Sequence, residues 1–191
     1  MFGNKSHKLN FLATQGLIAA VIGIFLFLNY ADASEPKQRG EWYSGQIDGS
    51  EGLYAATIND SGDIFGEYCA WQSQTCTWLI SVDSTCEKGS QYPALGNTDV
   101  GAAPLKLTCD ERLESASHTR LFFSDWKELE ELIMKGKRFG LAVPMQSDQF
   151  KVHRFSLDGM SEIQASMEKS FWSELKRRGV KPKTGTSTTT L

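Results

Sequence analysis

Residues 64–82 read IFGEYCAWQSQTCTWLISV, and the reading of this stretch decides the fold class. Ile64–Ala70 is a short segment rich in aromatic and β-branched residues. In Thr75–Val82, Cys76, Trp78 and Ile80 alternate with Thr75, Thr77 and Ser81, the period-two pattern of a strand with one buried and one wet face. Upstream, Glu41–Ile47 and Leu53–Asn59 have the same character and are set off by turns at Asp48-Gly49 and Asn59-Asp60-Ser61-Gly62. The second turn predicts a hairpin between Leu53–Asn59 and Ile64–Ala70. Downstream, Leu105–Leu113, His118–Ser124, Arg138–Pro144 and Lys151–Leu157 bring the strand count to eight. Between Asp83 and Pro104 the chain turns to Gly, Pro, Asn and Ser and reads as a long loop.

Two helices interrupt this pattern. Asp125 stands three residues before Glu128, a capping-box arrangement, and Trp126, Leu129, Leu132 and Ile133 form an apolar stripe that ends at Gly136. Met160–Arg178 spaces Ile163, Met167, Phe171 and Leu175 four apart, with Gly179 just beyond. The stripe predicts packing on the sheet or on a partner. The fold class that follows is mainly β: a disulfide-stapled antiparallel β-sandwich with one packed helix and a C-terminal helix.

The chain has 191 residues, 40% of them hydrophobic and 23% charged, a length and balance that suit one globular domain with appendages. A formal charge of −3 offers no excess of cations for a row of phosphates, which excludes nucleic acid as the main partner. Residues 1–33 have the layout of a secretory signal: Lys5 and Lys8, the apolar run Leu17–Leu28, then Ala31-Asp32-Ala33 as the cleavage site. An uncleaved anchor is the competing reading. Residues 34–40 read as an N-terminal arm, 41–159 as the sandwich domain, 160–178 as the C-terminal helix and 179–191 as a disordered, basic, Thr-rich tail. Membrane contact is expected only through the signal segment or that tail, and the location as periplasmic or secreted.

Four cysteines, Cys69, Cys76, Cys86 and Cys109, follow the signal. An even number in an exported domain predicts two disulfides. Three connectivities are open; the expectation is neighbour pairing, Cys69–Cys76 and Cys86–Cys109, with loop-closure contributions of about 2.5 and about 3.4 kcal/mol. A zinc site is disfavoured because no gap has the two-to-four-residue spacing that brings two thiolates to one ion, so neither metal nor cofactor is expected. The sequence lacks the fingerprints of α/β-hydrolases, P-loop proteins, dinucleotide-binding folds and zinc peptidases. His118 and His153 have no nucleophile at a diagnostic spacing and read as structural, and Asp125, Glu128, Glu130 and Glu131 read as the solvated face of the first helix. The expectation is a protein that is not an enzyme. Trp42, Tyr43, Trp71 and Trp78 could line a groove or fill the core, and the core is the expected place for Trp78.

An ordered series of short motifs resembles the invasion-associated locus B family of exported bacterial proteins: Ala55-Ala56-Thr57, Cys69, Cys76-Thr77-Trp78, Cys86, Tyr92-Pro93-Ala94-Leu95, Leu107-Thr108-Cys109, Gly140-Leu141-Ala142-Val143-Pro144 and Phe155-Ser156-Leu157-Asp158-Gly159-Met160. The resemblance spans roughly Trp42 to Ser166. It implies a periplasmic or surface-associated β-sandwich, linked in some bacteria to host-cell entry, with no catalytic residue to carry over. The extended C-terminal helix and basic tail depart from the family pattern. Together these readings predict a non-enzymatic interaction module that binds an envelope or host protein through its C-terminal helix, at Phe171 and Trp172, or through its long loop. The alternative is a carbohydrate- or small-ligand-binding domain in which exposed Trp71 and Tyr92 stack on the ligand.

Overall fold

A computed structural model of the chain describes residues 36–47, 51–112, 118–144 and 149–180. The leader, the Asp48-Gly49 turn and residues 181–191 of the tail lie outside the described residues. Ten strands run in the order β1 (Lys37–Arg39), β2 (Trp42–Gln46), β3 (Gly52–Ile58), β4 (Ile64–Ala70), β5 (Thr75–Val82), β6 (Gln91–Thr98), β7 (Gly101–Arg112), β8 (Thr119–Phe123), β9 (Arg138–Pro144) and β10 (Phe150–Ser156). Helix α1 (Trp126–Ile133) lies between β8 and β9, and α2 (Met160–Arg177) follows β10. All strand pairings are antiparallel, in the spatial order β1-β2-β3-β4-β5-β8-β7-β6-β9-β10.

The alternation read in the sequence places one row of side chains inward. Trp42, Ala55, Phe65, Trp78, Ile80, Leu107, Leu121, Phe123, Leu141 and Phe155 all join one buried cluster. Phe65 of β4 meets Phe139 of β9 at 4.9 Å and Phe155 of β10 at 5.4 Å between ring centroids. It also meets Trp78, Trp42 and Phe123. One end of the ten-stranded sheet therefore folds over the other, and β10 comes to rest against β3. Trp42 Nε1 donates to the Ser156 carbonyl at 2.9 Å, and Glu41 N donates to the Asp158 carbonyl, which ties β2 to the end of β10. Helix α2 covers β1 to β4 with Met160, Ile163, Met167, Phe171 and Leu175 buried. Gly159, just before it, holds φ +84°, and a Cβ there would strike the Arg39 carbonyl, so only glycine fits where the chain turns beneath β1.

The structure corrects several expectations. The long loop contains β6 and the first residues of β7. Its turn-like residues have tertiary roles: a Cβ on Gly96 would press on Leu105, Leu132 and Phe139, and Pro93 precedes the β6–β9 pairing, which begins at Leu95, so β9 loses no hydrogen bond to it. Three residues of the predicted arm form β1, which with β6 makes ten strands instead of eight. Asp125 makes no side-chain cap. Trp126 is 55% exposed and stands outside the stripe, whose other members are buried. Ser81, expected in solvent, is buried between its register neighbours Ile64 and Arg120. Gly179 and Val180, the first two residues of the predicted tail, close α2, with Val180 N donating to the Leu175 carbonyl at 3.0 Å. The hairpin β3–β4 and the bounds of β4, β5 and β9 agree with the sequence reading.

Both disulfides have the expected pairing. Cys69 and Cys76 are register partners on β4 and β5, with Cα atoms 3.9 Å apart, and Cys86–Cys109 fastens the β5–β6 connection to β7. Because Phe65 joins the two ends of the sheet, Phe65→Ala is expected to cost about 3–5 kcal/mol in urea unfolding. Tyr54→Ala, which breaks the Tyr54–Tyr68 stack on the opposite face, is expected to cost about 1 kcal/mol.

Candidate functional site

Two regions combine chemistry with placement. The first is the corner where α2 crosses the β4–β5 hairpin. Strand parity puts Glu67 inward between Phe65 and Cys69, so a carboxylate enters the apolar core with only 3% of its surface exposed. Burial, then the charge of Glu168 on α2 and that of Glu130 on α1, push its pKa up to about 8, against the pull of a hydrogen bond with Gln164. Glu67 therefore keeps its proton at neutral pH. Its Oε2 is buried without a hydrogen-bond partner. Glu130 turns inward and accepts the Trp78 Nε1 proton at 3.0 Å, which corrects its assignment to the solvated face; Glu128 and Glu131 are exposed as expected. Beside Glu67, its carboxylate and the sulfurs of Cys69 and Cys76 lie within 4.8 Å of one another.

Three of the four candidate binding aromatics meet at this corner, though not as a ligand platform. Trp71 stacks on Phe171 at 4.7 Å, and the Arg178 guanidinium lies 4.7 Å over the Trp71 ring. The tryptophan predicted to be open is thus half-buried against Phe171 of α2 and Arg178 at the end of that helix. Phe171 is fully buried and belongs to the core, whereas Trp172 is 43% exposed. Tyr92 lies apart from the corner, half-buried against the core, and its hydroxyl accepts from Glu87 N at 3.2 Å. The apolar stripe of α2 lies against the sheet and is closed to a partner.

The second region lies on the other side of the sheet. Register pairing puts Phe150 opposite Pro144, and lines up Val152, Ala142, Leu95 and Pro104 across β10, β9, β6 and β7. Directly paired residues project to the same face. Phe150 is 68%, Leu95 50% and Val152 41% exposed, so the apolar band faces solvent. Lys106, Arg138 and Arg154 occupy the same face and are exposed. At its β10 end the band runs into an open cleft of about 440 Å³ whose lining includes Ile58, Asp60, Glu41, Arg138, Val152 and Arg154. Beneath β10, buried His153 contacts Asp63 Oδ2 through Nδ1 at 2.8 Å. Burial pushes the Asp63 carboxyl up, but hydrogen bonds with His153 and Asn59 outweigh it and hold it below the usual carboxylate range. Asn59 also braces the turn, accepting from Asp63 N and Ser61 N. The pair locks the β3–β4 turn to β10, a structural role for His153. His118 is half-buried at the start of β8.

Glu67, Glu130 and Asp63 are the residues that the sequence reading did not single out. Parity could have found Glu67, the one acid at an inward position of β4. The two buried acids predict opposite pH limbs. A folded pKa for Glu67 above its usual 4.5 means that stability present in acid is lost as pH rises from about 4.5 towards 8. The depressed Asp63 contributes stability that is lost as pH falls through its folded value. Urea unfolding across pH should show Glu67→Gln gaining a few kcal/mol over wild type near pH ~8 and little near pH ~4, while Asp63→Asn should flatten the acid limb.

No family model matches the chain, and no curated protein matches it. Matches among solved structures include the crystal structure of invasion associated protein b from Bartonella henselae, with a TM-score of 0.49 and 12% identity, covering 75% of this chain and 99% of that one.

Proposed function

We propose that the protein is an exported, non-enzymatic interaction module of the bacterial envelope, and that it binds a partner protein on the outer face of β6, β9 and β10. The observation that carries this reading is the apolar band of Leu95, Pro144, Phe150 and Val152, exposed around half-buried Ala142, on a sheet whose other face carries the buried core. Contiguous exposed apolar surface is costly in a free protein and marks a contact site. The two disulfides suit an oxidising compartment outside the cytoplasm. Lys106, Arg138 and Arg154 border the band, and the described positions on this face of β6, β9 and β10 include no acid; Glu41 and Asp60 lie only in the cleft at one end. The occupant is therefore a protein segment that presents carboxylates beside apolar side chains. Contact through the C-terminal helix, the expectation from sequence, gives way to this face because α2 uses its apolar stripe within the fold. The alternative of aromatic stacking on a sugar loses its platform, since Phe171 and Arg178 already pack on the Trp71 ring.

A photo-crosslinking residue at position 152 in living cells, with position 172 as control, tests the assignment. The expected result is one discrete adduct with a second protein from position 152. Leu95→Asp should abolish it, while Tm changes little because Leu95 is exposed, and Arg138→Glu with Arg154→Glu should weaken it severalfold. An adduct of twice the chain mass, adducts from position 172 alone, or no adduct at all would overturn the reading.

A further inference from the structure

We propose that the Cys69–Cys76 disulfide is a thiol-exchange site at which Glu67 delivers the proton to the departing Cys69 sulfur, the co-reactant being a dithiol. Three features of the corner carry this. The two cysteines are direct register partners, and the Glu67 carboxylate lies within 4.8 Å of both sulfurs. Glu67 Oε2 is buried and has no hydrogen-bond partner, so one oxygen of the carboxyl stays uncommitted beside its hydrogen bonds with Gln164 and Glu168. The two cysteines also differ in burial: Cys69 is fully buried, whereas Cys76 is only half-buried, so Cys76 Sγ is assigned as the sulfur that the incoming thiolate attacks.

The order of events follows from that asymmetry. A thiolate of the dithiol attacks Cys76 Sγ and forms a mixed disulfide; the Cys69–Cys76 bond breaks and its electron pair goes to Cys69 Sγ. A bare thiolate in that apolar surrounding is strongly disfavoured. The Glu67 proton passes to it, leaving the Cys69 thiol and the Glu67 carboxylate. The carboxylate then takes the proton of the second reductant thiol, whose sulfur attacks the reductant sulfur of the mixed disulfide. Cys76 departs and is protonated from solvent. The protein gains two electrons and two protons, the reductant becomes a cyclic disulfide, and Glu67 is again the acid.

The groups that face Glu67 favour its protonated form. Glu168 and Gln164 approach from α2, Glu130 from α1, and Glu130 is itself bonded to Trp78 of β5. Glu168 and Glu130 are acids whose charge opposes a second negative charge, while Gln164 partly offsets them. The acid is therefore loaded across the neutral range and empties above about pH 8.

The test uses the full chain with dithiothreitol, timed alkylation and mass measurement of the peptides that carry each disulfide. Glu67→Gln is expected to slow opening of Cys69–Cys76 by about tenfold or more near neutrality and to leave Cys86–Cys109 unchanged. In wild type, the opening rate divided by the concentration of dithiothreitol thiolate should be level in the neutral range and fall above about pH 8; in the glutamine variant it should be lower and flat. The same per-thiolate rate for both proteins across pH would refute the role of Glu67. The wild-type profile stands by itself if the variant folds poorly: a per-thiolate rate that stays level through the alkaline range also overturns the proposal.

Discussion

The contact of Phe65 with Phe139 and Phe155 is the constraint on which the rest of the structure depends. A ten-stranded sheet left open would expose one whole apolar face. Phe65 is the second residue of β4 and reaches strands at the far end of the spatial order, so one ring holds the fold-over in place. Trp42 and Trp78 pack against the same ring. Aromatic pairs of this kind add about 0.5–1.5 kcal/mol each beyond the area they bury. Once the sheet has folded over, Trp42 reaches the Ser156 carbonyl and the Asp63–His153 pair closes.

The core is unusual in its polar content. Glu67, Asp63, His153 and Gln164 are all buried, and each needs a partner in a low-dielectric setting. Asp63 and His153 satisfy one another. Glu67 meets that standard only in part: Gln164 hydrogen-bonds to its carboxyl, but Glu168 and Glu130 are acids and one of its oxygens has no partner. A carboxylic acid that remains protonated beside a disulfide is costly to stability at neutral pH, and such costs concentrate where chemistry is done. The same carboxyl thus connects the pH dependence of the fold with the exchange proposed at the Cys69–Cys76 disulfide.

Division of labour between the two sheet faces follows from α2. By covering β1 to β4 at one end, the helix completes the core and claims the aromatic corner, and Arg178 and Phe171 close over Trp71. Nothing among the described residues covers the opposite side of β6, β9 and β10. Exposure of Phe150, Val152 and Leu95 there is a consequence of register, since each belongs to the parity that points away from Phe155, Leu141 and Ala94. Contact with a partner and exchange at the disulfide would therefore act on separate surfaces.

Local periodicity in the sequence determined the strands β4, β5 and β9, the four-residue spacing of α2 and the β class. These features depend on neighbours a few residues apart, and two-residue or 3.6-residue periods encode them directly. Tertiary structure alone decided that Gly96 and Pro93 belong to a strand, because the approach of Leu132 and Phe139 and the late start of the β9 pairing make those residues suitable there. It also decided that Trp71 and Phe171, a hundred positions apart, would stack, and that Glu67 would lie among Glu130, Glu168 and a disulfide. Strand parity could place Glu67 inward, but only the crossing of α2 over the β4–β5 hairpin brought it the neighbours that keep its proton in place.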